Sequence, residues 1–274
     1  TSGETAKRTG LIYNFQETQN SWMLQWGRIP LNDRGLVFID EINRRNPTNH
    51  IGEIEATNPC GEQPLHPFES CNLGSINLGK FVTDDSKVDW EKLKKITRLA
   101  VRFLDNVIDA NVYPIPQIEE MTKKNRKIGL GVMGFSEMLI KMGIPYDSED
   151  ALKIAEQVMK FITEEGRKTS VELGREKGNF PNFKGSTLDK KYKTMRNATI
   201  STIAPAGTIS VIANCSSGIE PLFAVAYVRD VSESIGSMLI EINPLFENTA
   251  IKEGFYTDEL IKNISGRTSV QGVK

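Results

Sequence analysis

The chain has 274 residues, of which 39% are hydrophobic and 25% charged, an ordinary globular profile with enough length to bury a substantial core. Its 34 Lys and Arg against 35 Asp and Glu leave a net charge of −1, which excludes a general electrostatic attraction to a nucleic acid polymer or an anionic membrane and makes any phosphate recognition local. No apolar run approaches the length of a membrane span and Thr1-Ser2-Gly3-Glu4 has none of the layout of a signal peptide, so no membrane partner and a cytoplasmic location are expected.

In chain order, Leu36 to Ile39 reads as a short strand. Trp90 to Ala110 carries Leu93, Ile96, Leu99, Phe103, Leu104, Val107 and Ile108 at helical spacing and ends before Tyr113-Pro114-Ile115-Pro116, which predicts a helix. Ser148 to Leu173 repeats the pattern through Leu152, Ile154, Ala155, Val158, Met159, Phe161 and Ile162, with Ser148 as N-cap, a kink near Gly166 and Gly174 as the stop. Lys184 to Met195 is polar and reads as an exposed loop. Asn197 to Ala204 is rich in β-branched residues and predicts a strand, followed by a Pro/Gly loop and a turn of helix over Ile209 to Ala213; Phe223 to Val228 is a further strand candidate. The alternation points to an α/β class. No internal repeat or low-complexity tract interrupts it.

Chemistry concentrates in three places. Asn58-Pro59-Cys60-Gly61-Glu62 sets an amide, a thiol and a carboxylate at alternate positions, and Pro59 and Gly61 argue against helix; on extended backbone the three side chains share one face and point into one pocket. A thiol between a hydrogen-bonding amide and a potential base suits nucleophilic or radical chemistry. A second thiol, Cys71, follows in Glu69-Ser70-Cys71-Asn72-Leu73-Gly74-Ser75-Ile76-Asn77-Leu78, which suggests redox work. Pro205-Ala206-Gly207-Thr208-Ile209-Ser210, at the end of a predicted strand, offers backbone N–H groups and the Thr208 and Ser210 hydroxyls to an anion such as phosphate.

Other features read as structural. The three cysteines make no disulfide scaffold and fit no zinc knuckle, and with only His50 and His66 no metal site is expected. Cys215 and the two histidines are assigned no chemistry. Gly129-Leu130-Gly131-Val132-Met133-Gly134 spells GxGxxG, but Lys123-Lys124-Asn125-Arg126-Lys127 precedes it where a dinucleotide fold needs a hydrophobic strand, so its glycines are read as sites of close packing. The basic run itself reads as a solvated face.

Asn-Pro-Cys-Gly-Glu, then Cys71 in Ser-Cys-Asn-Leu-Gly-Ser-Ile-Asn-Leu, then Pro205-Ala206-Gly207-Thr208-Ile209-Ser210 resembles the catalytic subunit of ribonucleotide reductase. Phe38-Ile39-Asp40-Glu41-Ile42-Asn43-Arg44-Arg45-Asn46-Pro47 and the short gap between the cysteines resemble the adenosylcobalamin-dependent class. The resemblance covers residues 36–274, a portion of the catalytic barrel, and leaves 1–35 as a poorly matched N-terminal segment.

The resemblance implies a partial ten-stranded α/β barrel, about its second half, with Cys60 on a central loop. It implies that Cys60 becomes a thiyl radical that abstracts the 3′ hydrogen of a ribonucleotide, that Glu62 accepts the 3′ hydroxyl proton, and that Asn58 orients the substrate together with Pro59 and Gly61. Cys71 then helps reduce the 2′ position; the family pairs it with an earlier cysteine that this sequence lacks. Pro205, Ala206, Gly207, Thr208 and Ile209 cradle the substrate phosphates, with Ala206 standing where the family usually has Thr. The implied cofactor is adenosylcobalamin, and the implied partners are a ribonucleoside di- or triphosphate, a thioredoxin-like or dithiol reductant, and a complementing polypeptide or a second copy in a homodimer. Competing readings are a large subunit served by a separate radical-generating subunit, a silent complementing piece of a split reductase, and a glycyl-radical or thiol-dependent transferase sharing only the phosphate loop.

Overall fold

The computed structural model describes residues 13–18, 21–26, 33–222, 224–230 and 238–265. In chain order the elements are β1 (Tyr13–Thr18), β2 (Ser21–Trp26), α1 (Asp33–Arg45), β3 (Ala56–Thr57), β4 (Pro64–Leu65), β5 (Asn72–Asn77), α2 (Trp90–Ala110) and α3 (Pro116–Asn125). They continue as β6 (Ile128–Met133), α4 (Phe135–Met142), α5 (Glu149–Lys177), α6 (Gly207–Ala213), β7 (Ala226–Asp230), β8 (Met238–Ile242), α7 (Pro244–Lys252) and α8 (Asp258–Ser265). The class is α/β as expected. Among the described residues the strands pair two by two, β1 with β2, β3 with β4, β5 with β6 and β7 with β8, and do not close into a barrel.

The chain divides into two compact units. The first comprises Thr1–Gly74, Thr97–Leu130 and Thr163–Thr202; the second comprises Ser75–Ile96, Gly131–Ile162 and Ile203–Lys274.

Helix α2 has the predicted ends, but its buried stripe is Leu93, Thr97, Val101, Leu104 and Ile108, the set that recurs every three or four residues, while Leu99 and Phe103 are 59% and 63% exposed. Burying each of the aliphatic side chains of that stripe is worth about 1.5–3 kcal/mol relative to leaving it in water. Helix α5 starts as predicted, with the Ser148 hydroxyl accepting from the Ala151 N–H at 3.2 Å. It runs unbroken through Gly166 and past Gly174 to Lys177. Both glycines are sites of close approach: a Cβ at Gly166 would lie 2.7 Å from Ile200 Cγ2, and one at Gly174 would lie 2.9 Å from the Met195 nitrogen. The helix stops at Gly178, whose φ of +86° carries the chain out of the helical region.

Two strand expectations are corrected. Leu36 to Ile39 lies inside α1, where Arg44 and Arg45 reach back to Glu41 across one turn. Asn197 to Ala204 is extended but forms no named strand: the Leu130 N–H donates to the Ile200 carbonyl at 2.7 Å and the Thr202 N–H to the Leu130 carbonyl at 3.1 Å, leaving an isolated parallel bridge between Leu130 and Ser201. Of the Phe223 to Val228 candidate, β7 takes up Ala226 onward, and Phe223 lies outside the described residues. Lys184 to Met195 forms turns as expected, but is only partly exposed, with Ser186 and Met195 buried.

The basic run is also corrected. Lys123 and Lys124 are solvated and paired with Glu119 and Glu120, but Arg126 and Lys127 are buried. Arg126 donates to Asp105 Oδ1 at 2.9 Å and to Asp109 Oδ1 at 2.7 Å, and Asn197 donates to the same Asp105 oxygen at 3.0 Å. Burial alone would raise the Asp109 carboxyl, but the Arg126 guanidinium outweighs it and holds that group below its usual range. Charge buried at this depth persists only when paired and hydrogen-bonded. In the second unit a satellite core forms where Ala226, Ile261 and Ile264 pack with Ile242 and Phe246.

Candidate active site

Asn58 to Glu62 is a tight turn that joins β3 to β4, not an extended strand. The Gly61 N–H donates to the Asn58 carbonyl at 3.0 Å, the Asn58 N–H to the Gln63 carbonyl at 3.0 Å, and the Gln63 N–H to Asn58 Oδ1 at 3.0 Å. The Asn58 side chain therefore closes its own turn, as Asn commonly does. Alternation of faces does not survive in such a turn. Cys60 stands exposed at the tip, while Asn58 and Glu62 are half-buried and Glu62 Oε2 is sealed from solvent with no hydrogen-bond partner among the described residues.

The turn is fixed to the core at its far end. The Thr202 hydroxyl donates to the Glu62 carbonyl at 2.8 Å. Gln63 is buried against Gly129, where a Cβ would come within 2.8 Å of Gln63 Nε2 and 2.4 Å of Leu73 Cδ2, so any larger residue would have to displace both side chains. That close approach is the role the sequence assigned to this glycine.

Cys71 enters β5 half-buried. Burial pushes its thiol up to about 11, the Glu62 and Glu69 carboxylates add to the shift, and Lys127 opposes it. The thiol therefore stays protonated at neutral pH with the Glu62 carboxylate close enough to be felt.

Near Cys71 lies a buried ion pair that sequence reading missed. Lys127, 1% exposed, donates to Glu69 Oε2 at 2.7 Å and to the Pro64 carbonyl of β4 at 3.0 Å, and the other Glu69 oxygen accepts from Asn125 at 2.6 Å. The His66 N–H also donates to Glu69, at 2.8 Å, and the His66 ring sits among Asn46 and Thr48 with burial pushing its imidazole below the ordinary value. His66, which the sequence suggests as a loop residue rather than a ligand, is a buried and hydrogen-bonded core residue. A carboxylate two residues before Cys71 and a lysine opening the apolar β6 were the available signals.

The Pro205 to Ser210 loop belongs to the second unit. Ala206 sits in the left-handed region at φ +54° as N-cap of α6, with no side-chain cap on the first N–H groups of that helix. Gly207, Thr208 and Ile209 are exposed. Ser210, offered by the sequence as an anion ligand, is buried instead: its hydroxyl donates to the Gly207 carbonyl at 2.8 Å and pairs with the Ser217 hydroxyl at 2.8 Å. Thr208, by contrast, is exposed. The residues after α6 form a turn tied to α4, with the Ser216 N–H and hydroxyl both donating to the Glu137 carboxylate, at 2.9 and 2.7 Å. Burial, with Glu137 adding to it, pushes the Cys215 thiol up to about 11, which fits its assignment as structural.

Residues 27–274 match the model of the ribonucleotide reductase barrel domain. The chain belongs to that family. This ribonucleotide reductase barrel chain is 54% identical over 242 residues to a vitamin B12-dependent ribonucleoside-diphosphate reductase of Thermoplasma acidophilum, an alignment covering 88% of the chain and 31% of the relative. It is 50% identical over 240 residues to the protein of the same description from Mycobacterium tuberculosis, covering 88% and 34%. The chain thus spans about a third of the length of the curated relatives it matches. The Actinobacillus ureae class Id ribonucleotide reductase alpha subunit shares its fold, with a TM-score of 0.68 at 24% identity over 86% of this chain and 43% of that one. The barrel assignment stands with the family.

Proposed function

We propose that this chain carries catalytic elements of a ribonucleoside-diphosphate reductase that works through a thiyl radical, making deoxyribonucleotides for DNA synthesis. The observation that carries the reading is the arrangement around the first turn: an exposed Cys60, a Glu62 carboxylate with one buried unpartnered oxygen, and a Cys71 thiol held protonated beside it. The names of the Thermoplasma and Mycobacterium relatives support a diphosphate substrate and a vitamin B12 cofactor.

Each residue then has a chemical task. Cys60, as thiyl, takes the hydrogen atom from C3′ of the ribose and later returns it. Glu62 takes the 3′ hydroxyl proton; its unpartnered oxygen is a ready acceptor in a desolvated setting. Asn58 orients the ribose through its amide. Cys71 gives its proton to the departing 2′ hydroxyl, which leaves as water, and the two electrons come from Cys71 and a second thiol as the pair closes to a disulfide. A thioredoxin-like protein or small dithiol reopens that bond. Pro205, Ala206, Gly207, Thr208 and Ile209 hold the diphosphate through backbone N–H groups and the Thr208 hydroxyl, in keeping with the uncapped start of α6.

Adenosylcobalamin, if bound here, would supply the radical equivalent that turns the Cys60 thiol into a thiyl. Cys60 fits that need because its sulfur stands open at the tip of a turn rather than sealed in the core.

The test is anaerobic incubation of the chain with adenosylcobalamin, dithiothreitol and ribonucleoside diphosphates, beside Cys60→Ala. Deoxyribonucleotide and a cob(II)alamin radical signal that vanish in the variant are the expected result. Product formed equally by the variant refutes the assignment of Cys60. Silence in a folded chain refutes autonomous activity and requires the remaining polypeptide of the longer relatives.

A further inference from the structure

We propose that Glu137 is a positioning residue for substrate phosphate: through Ser216 it holds the turn that props the Pro205–Ile209 loop in its anion-binding shape. The inference rests on the reading of that loop as the diphosphate site.

The loop has a conformation it does not stabilise by itself. Ala206 occupies the left-handed region, which costs a non-glycine residue roughly 1 kcal/mol or more, and no side chain of the loop caps α6. Support comes from the segment after α6. The Cys215 N–H donates to the Ser210 carbonyl at 3.0 Å, and the Ser217 hydroxyl meets that of Ser210 at 2.8 Å. Gly218, at φ +47°, passes so close beneath the loop that a Cβ there would lie 3.1 Å from the Ala204 carbonyl oxygen. This prop is held in turn by α4: Ser216 gives both its N–H and its hydroxyl to the two oxygens of Glu137, and its carbonyl accepts the Gly134 N–H at 2.8 Å.

Glu137 is suited to this and to little else. It is 7% exposed and lies in the first turn of α4, where the helix dipole favours a carboxylate. Both of its oxygens are occupied by Ser216, so it acts on a bound phosphate only through the prop. It is also the one charged side chain of Phe135-Ser136-Glu137-Met138-Leu139-Ile140. A carboxylate retained there needs its partners, and Ser216 supplies them.

Two readouts test the proposal on the full chain, with Glu137→Ala, Glu137→Gln and Ser216→Gly. The first needs no ligand: hydrogen exchange of the Ser210 and Cys215 amides, which bond the Ala206 and Ser210 carbonyls. Exchange at least about tenfold faster in Glu137→Ala, with Glu137→Gln intermediate because its amide oxygen still accepts one bond, is the expected result. The second is CDP binding by calorimetry with inorganic pyrophosphate as competitor. Glu137→Ala is expected to weaken CDP and pyrophosphate by the same factor, about tenfold, the order that loss of a charge-assisted bond represents. Unchanged exchange in Glu137→Ala overturns the positioning role whatever the ligand does. Accelerated exchange in a chain whose wild type binds neither CDP nor pyrophosphate overturns the phosphate reading instead, and with it the functional half of the proposal. Where Glu137→Ala fails to fold, Ser216→Gly removes the hydroxyl and keeps the N–H, and unchanged exchange in it has the same overturning force.

Discussion

The two loops that carry the proposed chemistry are held in opposite ways. The Cys60 turn is anchored by charge: a fully buried Lys127–Glu69 pair ties the strand after it, through the Pro64 carbonyl, to the segment that brings in Cys71. The Pro205 loop is anchored by small hydroxyls and backbone groups, with one carboxylate, Glu137, at the end of the chain of bonds. A thiol that gives and regains a hydrogen atom needs fixed placement, and an ion pair that cannot move without exposing a bare charge provides it. A loop that must admit and release an anion is better served by neutral contacts, which leave its own N–H groups free to supply the attraction.

The largest test of that contrast is Cys60→Ala. Cys60 is exposed and anchors nothing, so the variant should lose all deoxyribonucleotide formation while CDP affinity and thermal stability stay within error of wild type. A fall in stability would mean that the thiol is structural. Next comes Glu62→Gln, which keeps the shape and the Thr202 bond to the backbone carbonyl but removes the acceptor we propose for the 3′ proton. Single-turnover rate should drop about 10²–10⁴-fold with CDP affinity nearly constant. An equal loss in both would make Glu62 a binding residue rather than a base.

Lys127→Met tests the anchor itself. It leaves the Glu69 carboxylate, whose side chain is 0% exposed, without its cation, and should cost about 3–5 kcal/mol in denaturant unfolding. Adding Glu69→Leu should recover most of that loss, because neither buried charge then remains. A double variant as unstable as the single would show that shape, not charge, is what the pair supplies.

These anchors were the least legible part of the sequence, and the reason is physical. Helix α2 could be read because apolar spacing is a local property, yet the same rule included Leu99 and Phe103, which the structure leaves exposed. Leu-Val-Phe-Ile at 36–39 looks like a strand in isolation, and only the longer pattern ending in Glu41, Arg44 and Arg45 makes it helical. Pro59 and Gly61 correctly excluded helix at the first motif but could not separate strand from turn; the bond from Gln63 to Asn58 Oδ1 decides that. Motif residues such as Cys60 and Cys71 announced themselves by chemical type. Lys127 and Glu69, 58 residues apart, carry a meaning that exists only once both are buried together.

Cys71 offers a smaller effect with a clear sign. Burial and two nearby carboxylates raise its thiol from 9.0 to about 11, so the protonated form, which the proposal needs as proton donor, persists at neutral pH and the thiolate appears only as pH climbs past the ordinary range. Two units correspond to about a hundredfold less thiolate than an ordinary cysteine has at neutral pH. Alkylation of the Cys71 peptide by iodoacetamide, followed by mass spectrometry, should still be rising about tenfold per pH unit between about pH 9 and 10. A plateau near pH 9 would show that water reaches the thiol.

The smallest predicted effect sets the scale for the rest. Along α2 and α5, Arg98 pairs with Glu172, and Arg102 holds Glu176 with two bonds of 2.9 and 2.6 Å, a geometry as good as that of the Lys127 pair. The Arg102 and Glu176 side chains are 43% and 50% exposed, however, so water replaces each partner when the other is removed. Arg102→Ala should therefore cost only about 0.2–1 kcal/mol, and less as salt is added, whereas the cost of Lys127→Met should hardly respond to salt. If the two variants proved equally costly, bond geometry rather than desolvation would govern both pairs. The buried lysine would then have no special claim as the anchor of the cysteine turn.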